Sequence, residues 1–492
     1  MKLAEDGICQ ILQAAPDLPE ALHLQGLIYH QTGKSDLAIA SITRAVSLDS
    51  RNPEYHYNLG VIHGALGKIE EATRSYHACL CLKPDCTDAL NNLGLILFEQ
   101  DRLEESTVLF QQAIRADPEG IKAWYNLGMA LHSLGRPADA IEAYDQVLRV
   151  SPDSAETHFN RSISLLTCGK FEEGWQEYEW RFRPVRAGID DVSANRLAGR
   201  AAVSLHRKRI LVNDEQGIGD TLQFIRYLPM LKARGGTVVF ETSKPLKTLL
   251  DGFPGLDELV TTSAGAVPKP DCDFFVPLMS LPCIFKTTLE TIPARIPYIF
   301  ADCAKAKYWR HRIRRTGFNV GIVWSGNPAA RYQQAKSSGL EHVNLAWAGN
   351  PASKIATGRS NRLEYFTPLA DIRGIQLYGL QKGAGAKQAD ELSGLLDVVN
   401  LGEEFEDFSD TAGVIANMDL IVTVDTSVAH LAGAMGKPVW VLIPAVPDWR
   451  WMLEREDSPW YPTMRLFRQQ DAGDWRHVFA RVAKELEALI SE

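Results

Sequence analysis

The chain has 492 residues, 45% hydrophobic and 23% charged, which gives room for about three domain-sized units of ordinary globular protein. Its formal net charge of −9 at pH 7 offers no general attraction to nucleic acid or to an anionic membrane, both of which need a basic surface. No stretch approaches the roughly 18 to 20 uninterrupted apolar residues of a membrane span.

At the start, MKLAEDGICQILQAAPDLPE has acids inside its apolar stretch and no signal-peptide organisation. Eight cysteines (Cys9, Cys79, Cys81, Cys86, Cys168, Cys272, Cys283 and Cys303) form no C-x-x-C pair and no metal-ligand pattern with histidine. The expectation is a cytoplasmic protein with small buried thiols and no metal.

The first third repeats. Gly26, Gly60, Gly94 and Gly128 are spaced by 34, as are Pro84, Pro118 and Pro152, with Pro16 on the same register; Ala38, Ala72 and Ala140 hold a second register that Ser106 fills once. AWYNLGMALHSLGRPADAIEAYDQVLRVSPDS, residues 123–154, resembles the tetratricopeptide repeat nearly residue for residue. The small residue on the first helix lets the second pack close, and the proline after the second stops it. Four full repeats are predicted from about 19 to 154, with a half repeat before them. A fifth drifts into FEEGWQEYEWRFRP, where Trp175, Tyr178, Trp180 and Phe182 are too apolar for open solvent and are expected to dock on the next domain. The solenoid is placed at 1–183 and read as a scaffold; its concave face is open to a protein segment.

After about 205 the period changes. RILVNDE, GTVVFET, LDELVTT and CDFFVPL alternate with helical patterns, and NVGIVWSG starts a second series through IQLYGLQ, LDVVNLG, MDLIVTVD and KPVWVLI. Alternating short strands and helices imply parallel sheets covered on both faces. The fold class is thus α + α/β: an N-terminal α-solenoid followed by two Rossmann-like domains, 205–305 and 315–470, and an amphipathic closing helix in 471–492 with Val478, Phe479, Val482 and Leu486 at helical spacing. Ligands of such sheets bind beyond the carboxyl ends of the strands.

NDEQGIGDTLQF, residues 213–224, follows the first strand. A dinucleotide fingerprint wants a third glycine where Leu222 stands, and Asp220 would repel a pyrophosphate; no Lys-Ser or Lys-Thr completes a P-loop. What remains is the loop of Gly217 and Gly219 holding a carboxylate, Asp220, at a strand-to-helix turn. It either caps its helix or does chemistry in a cleft. In the second series, LIVTVDTSVAHLAGAMGKPVWVLI reads as strand, turn, helix and strand. Asp425, Thr426 and Ser427 at the turn, with the free N–H groups of the helix, make an anion-binding mouth. His430 lies on the side of Ser427. Asp425 as an N-cap and His430 as a packed residue is the plainer alternative.

EQGIGDTLQFIRYLP, FVPLMSLP, GIVWSGNP, DLIVTVDTSVAHLAGAMGKPVWVLIP and DWRWMLEREDSPWYPTMRLFRQ together resemble the tetratricopeptide-linked glycosyltransferases whose catalytic half is similar to heptosyltransferases, glycosyltransferase family 9 with the GT-B fold. The architecture is similar, more distantly, to the protein O-GlcNAc transferases. The resemblance implies metal-independent, inverting transfer from a nucleotide-diphosphate sugar, a co-substrate rather than a cofactor, to a protein or glycan hydroxyl recruited by the repeats. Asp220 matches the general base, and Asp425, Thr426 and His430 match the element that contacts nucleotide and diphosphate; Ser427 adds a hydroxyl to that mouth.

One departure from the pattern is a doubled W-x-G-N-P, at 324–328 and 347–351. The first copy is expected to follow the central strand and the second to lie in an insertion whose Lys354 and Arg359 reach the diphosphate. Asp271 and Asp273 form a D-x-D that is read as a chance pairing. Trp449, Trp451, Trp460 and Tyr461 either stack on a base or sugar or pack the C-terminal crossover onto the first domain. A non-catalytic repeat scaffold with a degenerate transferase domain stays as the alternative function. Donor sugar, nucleotide, acceptor and oligomeric state are not legible.

Overall fold

The 34-residue register of the sequence is the register of the helices. The computed structural model describes residues 2–182, 204–261, 272–313, 317–326, 361–383, 385–392 and 396–491. Helix α1 (Lys2–Ala14) precedes the hairpins α2 (Pro19–Gln31) with α3 (Ser35–Leu48), α4 (Pro53–Ala65) with α5 (Ile69–Leu82), α6 (Thr87–Glu99) with α7 (Leu103–Ala116) and α8 (Ile121–Ser133) with α9 (Pro137–Val150); α10 (Ala155–Thr167) and α11 (Phe171–Tyr178) follow. Each glycine of the register sits where a large side chain of the second helix arrives. A Cβ on Gly60, Gly94 or Gly128 would come within 2.6, 2.5 and 2.5 Å of the rings of Tyr76, Phe110 and Tyr144. Between the helices of a pair, Gly33, Gly67, Gly135 and Gly169 take φ near +70 to +76°, with Asp101 at +62° in their place once, the left-handed residue that ends a helix. Lys83 and Asp117, each before a proline, are extended at φ −136° and −140°.

The chain divides into two units, Met1–Thr157 and His158–Glu492. In the second, Phe159, Ile163, Leu166, Phe171, Trp175 and Tyr178 belong to the same apolar core as the first sheet. Trp175 meets Phe224 edge-on at 5.9 Å and Trp449 at 5.2 Å, and Phe171 stacks with Trp460 at 5.8 Å. The aromatic residues of the drifting fifth repeat and those of the C-terminal crossover are therefore two sides of one contact. Trp180 stacks on His158 at 3.8 Å, and Phe182 lies under the Arg181 guanidinium.

Strands β1 (Arg209–Asn213), β2 (Thr237–Thr242), β3 (Glu258–Thr261) and β4 (Phe274–Pro277) form a sheet of order β3-β2-β1-β4; β5 (Phe318–Val323), β6 (Ile375–Gly379), β7 (Val398–Asn400), β8 (Leu420–Val424), β9 (Val439–Ile443) and β10 (Met464–Arg468) form another of order β10-β9-β8-β5-β6-β7. Every pairing within them is parallel. Helical repeats followed by parallel α/β sheets are the fold class read from the sequence. The first W-x-G-N-P follows β5, the centre of its sheet, with Trp324 fully buried; the second copy, Lys354 and Arg359 lie outside the described residues.

Helix α12 (Ile218–Phe224) follows β1, α13 (Cys303–Arg312) joins the two sheets, and α14 (Phe408–Ile415), α15 (Ser427–Ala434) and α16 (Trp475–Ser491) belong to the second series. Lys305 and the Trp309 indole of α13 both reach Asp410 on α14, at 2.6 and 3.2 Å. On α16, Val478, Phe479, Val482 and Leu486 are buried against the sheet face that carries Val320, Ile322 and Val422.

Candidate functional site

Strand order places both motif turns. From β1 the chain builds β2 and β3 on one side and then β4 on the other; from β5 it builds β6 and β7 on one side and then β8 on the other. The turns after β1 and after β8 thus lie where the order reverses, the position at which open α/β sheets leave a crevice.

Helix α12 begins after Gly217, whose N–H donates to Asp220 Oδ2 at 2.7 Å. Asp220 therefore caps its helix. Its other oxygen, Oδ1, pairs with Nη2 of Arg450, so both oxygens are engaged. Arg450 in turn bonds Asp448 Oδ1 at 2.7 Å and Gln223 Oε1 at 2.8 Å. The Arg450 side chain is 4% exposed and that of Asp220 14%. Burial opposes the guanidinium charge, but the Asp220 and Asp448 carboxylates more than offset it and raise the Arg450 pKa. The turn before α12 is clamped from α11 and the residues just after it. Glu215 takes Arg181 at 2.8 Å and the Met279 N–H at 2.9 Å, and Gln216, at φ +64°, donates to the Tyr178 hydroxyl.

In the second turn Thr426, not Asp425, is the N-cap of α15, with extended φ −136° and ψ 169° and no side-chain cap. Thr426 Oγ1 lies 3.0 Å from Thr423 Oγ1. Asp425, Thr426 and Ser427 are all half-buried, beside first-turn N–H groups that carry the positive end of the helix dipole. His430 shares the side of Ser427, and that side faces α12: a Cβ on Gly219 would lie 2.8 Å from His430 Cδ2 and 3.5 Å from Ser427 Cα. Only a glycine allows this approach. The His430 ring is buried, 3.1 Å from the Tyr461 hydroxyl through Nδ1 and stacked on Trp451 at 5.5 Å. Burial lowers its pKa to about 4, which keeps it neutral near pH 7.

Gly217, Gly219, Asp220, Ser427 and His430 thus come together, while Lys354 lies outside the described residues. Arg450, Gln223, Asp448 and Tyr461 complete the cluster; they lie within the stretches EQGIGDTLQFIRYLP and DWRWMLEREDSPWYPTMRLFRQ, but apart from Tyr461 as one of the aromatic group the sequence singles none of them out. The available signal was an arginine inside the run DWRWM, since a charge buried among aromatics has to be paired. Trp449, Trp451, Trp460 and Tyr461 are all buried, so this group packs the crossover. The Gln223 Nε2 and Trp451 Nε1 donors are buried without a partner among the described residues. Asp273 accepts from Lys208 Nζ and the Arg209 N–H, a local structural role; Asp271 lies outside the described residues. Among those residues no group of three or more His, Cys, Asp or Glu side chains is placed to hold a metal, and no helix is long and apolar enough to cross a membrane.

Profiles of known families match in two regions. Tetratricopeptide repeat profiles cover 26–67, 53–86, 94–135 and 121–154, and glycosyltransferase family 9 (heptosyltransferase) covers 370–443, which includes the turn after β8. Protein FlbA of Caulobacter vibrioides is 25% identical over 337 residues, 64% of this chain and 52% of FlbA, so the chain spans about half the length of that relative. Among solved structures, MamA is 23% identical over 32% of this chain and 91% of its own, with a TM-score of 0.30. PilF of Pseudomonas aeruginosa is 23% identical over 37% and 82%, with a TM-score of 0.32. These are local likenesses, and the assignment rests on the family profiles. The chain carries tetratricopeptide repeats in its N-terminal region and a glycosyltransferase family 9 (heptosyltransferase) domain at its C-terminus.

Proposed function

We propose that the protein is a glycosyltransferase that moves a sugar from a nucleotide-diphosphate sugar to a hydroxyl of a protein or glycan, with inversion and without a metal. In this reading the repeats in 1–183 recruit the acceptor, 205–305 holds it, 315–470 holds the donor and 471–492 closes the second domain. The observation that supports it most is the meeting of the two switch-point turns, with Gly219 against His430 and Ser427. Asp220 takes the proton of the acceptor hydroxyl as its oxygen attacks the anomeric carbon, while Thr426, Ser427 and the start of α15 stabilise the departing diphosphate. Asp425 and His430 belong to the same donor-binding element, and Lys354 of the insertion is assigned to the diphosphate.

Each Asp220 oxygen has one partner among the described residues, the Gly217 N–H on Oδ2 and Arg450 on Oδ1; a carboxylate oxygen has two lone pairs, so the acceptor proton goes to the second lone pair of one of them. The same engagement favours a second reading, a repeat scaffold that binds nucleotide without turnover. Thermal denaturation of the full chain with nucleoside diphosphates and their sugars separates the outcomes. Stabilisation kept in Asp220→Asn and lost in Thr426→Ala supports a donor site distinct from the base. A donor that stabilises but is never turned over in the presence of acceptors supports the scaffold, and no stabilisation by any nucleotide sinks the donor site.

A further inference from the structure

The carboxyl ends of β1 and β2 hold polar side chains that the transfer reading leaves unused. Asn213 and Glu241 are register partners in parallel strands, so their side chains leave the sheet on one face, and Ser243, two residues beyond Glu241, continues the alternation. Glu241 is 8% exposed, yet Glu241 Oε1, Asn213 Oδ1 and Ser243 Oγ are buried with no hydrogen-bond partner among the described residues. Asp214 completes the group: its Oδ2 accepts from Thr242 Oγ1 at 3.0 Å and from the Ser243 N–H at 2.8 Å. Among the described residues neither Asp214 nor Glu241 has an ion-pair partner. Burial, and then the Asp214 carboxylate, push the Glu241 carboxyl up, and burial does the same to Asp214.

Buried polar atoms in folded proteins are paired, and an uncompensated carboxylate is costly to bury. Two unpaired acceptor oxygens, Glu241 Oε1 and Asn213 Oδ1, and two acids on one edge therefore call for a group that donates and carries positive charge, with the Ser243 hydroxyl free to accept from it. Ammonium has three N–H donors and no acceptor. We propose that the carboxyl edge of β1 and β2 is a binding site for a protonated primary amine, held by Glu241, Asp214, Asn213 and Ser243. Two of its members, Asn213 and Asp214, lie seven and six residues before Asp220, at the end of β1 and just after it. That this amine belongs to the acceptor, as an amino sugar or a lysine side chain, rests on the transfer reading; the binding does not.

The test is equilibrium binding to the full chain at constant ionic strength, without nucleotide sugar, so that its failure leaves the donor experiment untouched. The probes are glucosamine against glucose, and Nα-acetyl-lysine methylamide against the norleucine analogue, with magnesium ion as a separate arm. One amine is expected to bind at least tenfold more tightly than its neutral counterpart, to weaken tenfold or more in Glu241→Gln, and by its identity to name the source. Glu241→Gln itself is expected to melt no lower than the wild type, since it removes an unpaired buried charge. Equal binding of amine and neutral probe, full amine affinity in Glu241→Gln, or binding of magnesium without either amine overturns the proposal. Should Glu241→Gln fail to fold, the amine against neutral comparison on the wild type still decides.

Discussion

Arg450→Met removes the guanidinium that ties the crossover to Asp220 while keeping most of the buried stem. Two acids lose the guanidinium at once: Asp448, whose side chain is 3% exposed, and Asp220, at 14%. Breaking a buried pair by deleting one member costs about 3 to 5 kcal/mol, because the remaining charge is stranded. Asp220 keeps the Gly217 N–H and Asp448 keeps the Arg450 backbone N–H, which argues for the lower part of that range, about 3 kcal/mol. The assay is urea unfolding of the full chain followed by tryptophan fluorescence, since Trp175, Trp449 and Trp460 are in ring contact beside the pair. The transition of the second unit is read separately, because two units need not unfold in one step. Asp220→Asn in the Arg450→Met background should return part of the loss by removing one stranded charge. A loss under about 1 kcal/mol for Arg450→Met, the range of an exposed pair, or strict additivity of the two substitutions, would refute the reasoning.

Gly128→Ala places a Cβ 2.5 Å from the Tyr144 ring, which is itself 1% exposed; overpacking of this kind costs about 1 to 3 kcal/mol, seen as a lower thermal midpoint of the repeat unit. His430 has a folded pKa of about 4 against about 6.5 when unfolded. The unfolded chain then takes the proton first, and stability present above pH 6.5 is lost as pH falls toward 4, by on the order of 3 kcal/mol. Urea midpoints of the wild type and His430→Gln between pH 7 and pH 4 isolate this part as a difference; parallel pH profiles would contradict it.

The repeats are legible because each register position solves the same packing problem. Gly60, Gly94 and Gly128 each receive an aromatic ring of the following helix, so the geometry is written three times at one spacing. The α/β alternation is legible for a related reason: strands such as β8 and β9, buried at every position, need unbroken apolar runs. Asp220 and Thr426 are found from sequence because a turn between strand and helix constrains residue type locally. Asp220 as cap and Asp220 as reacting group are equally local readings. The cap is observed, and what the sequence lacks is the partner of its second oxygen, Arg450, 230 residues away.

That distance marks the physical limit. Ser427 and His430 are placed on one side of α15 by helical spacing, and they do share it; the spacing is silent on what faces that side. The answer is Gly219. A residue with no side chain shows its role only through the atoms that come close to it. The aromatic runs obey the same logic. Residues 171–182 contain more apolar surface than a terminal repeat can leave in water, and residues 449–461 contain more than a surface crossover can. Each excess is visible alone, and each has a second explanation alone, a bound base or sugar for the crossover. Once Phe171 meets Trp460 and Trp175 meets Trp449, the two excesses cancel. The rings of the crossover are spent on the fold, and under the proposed function nucleotide recognition falls to the polar groups of the turn after β8.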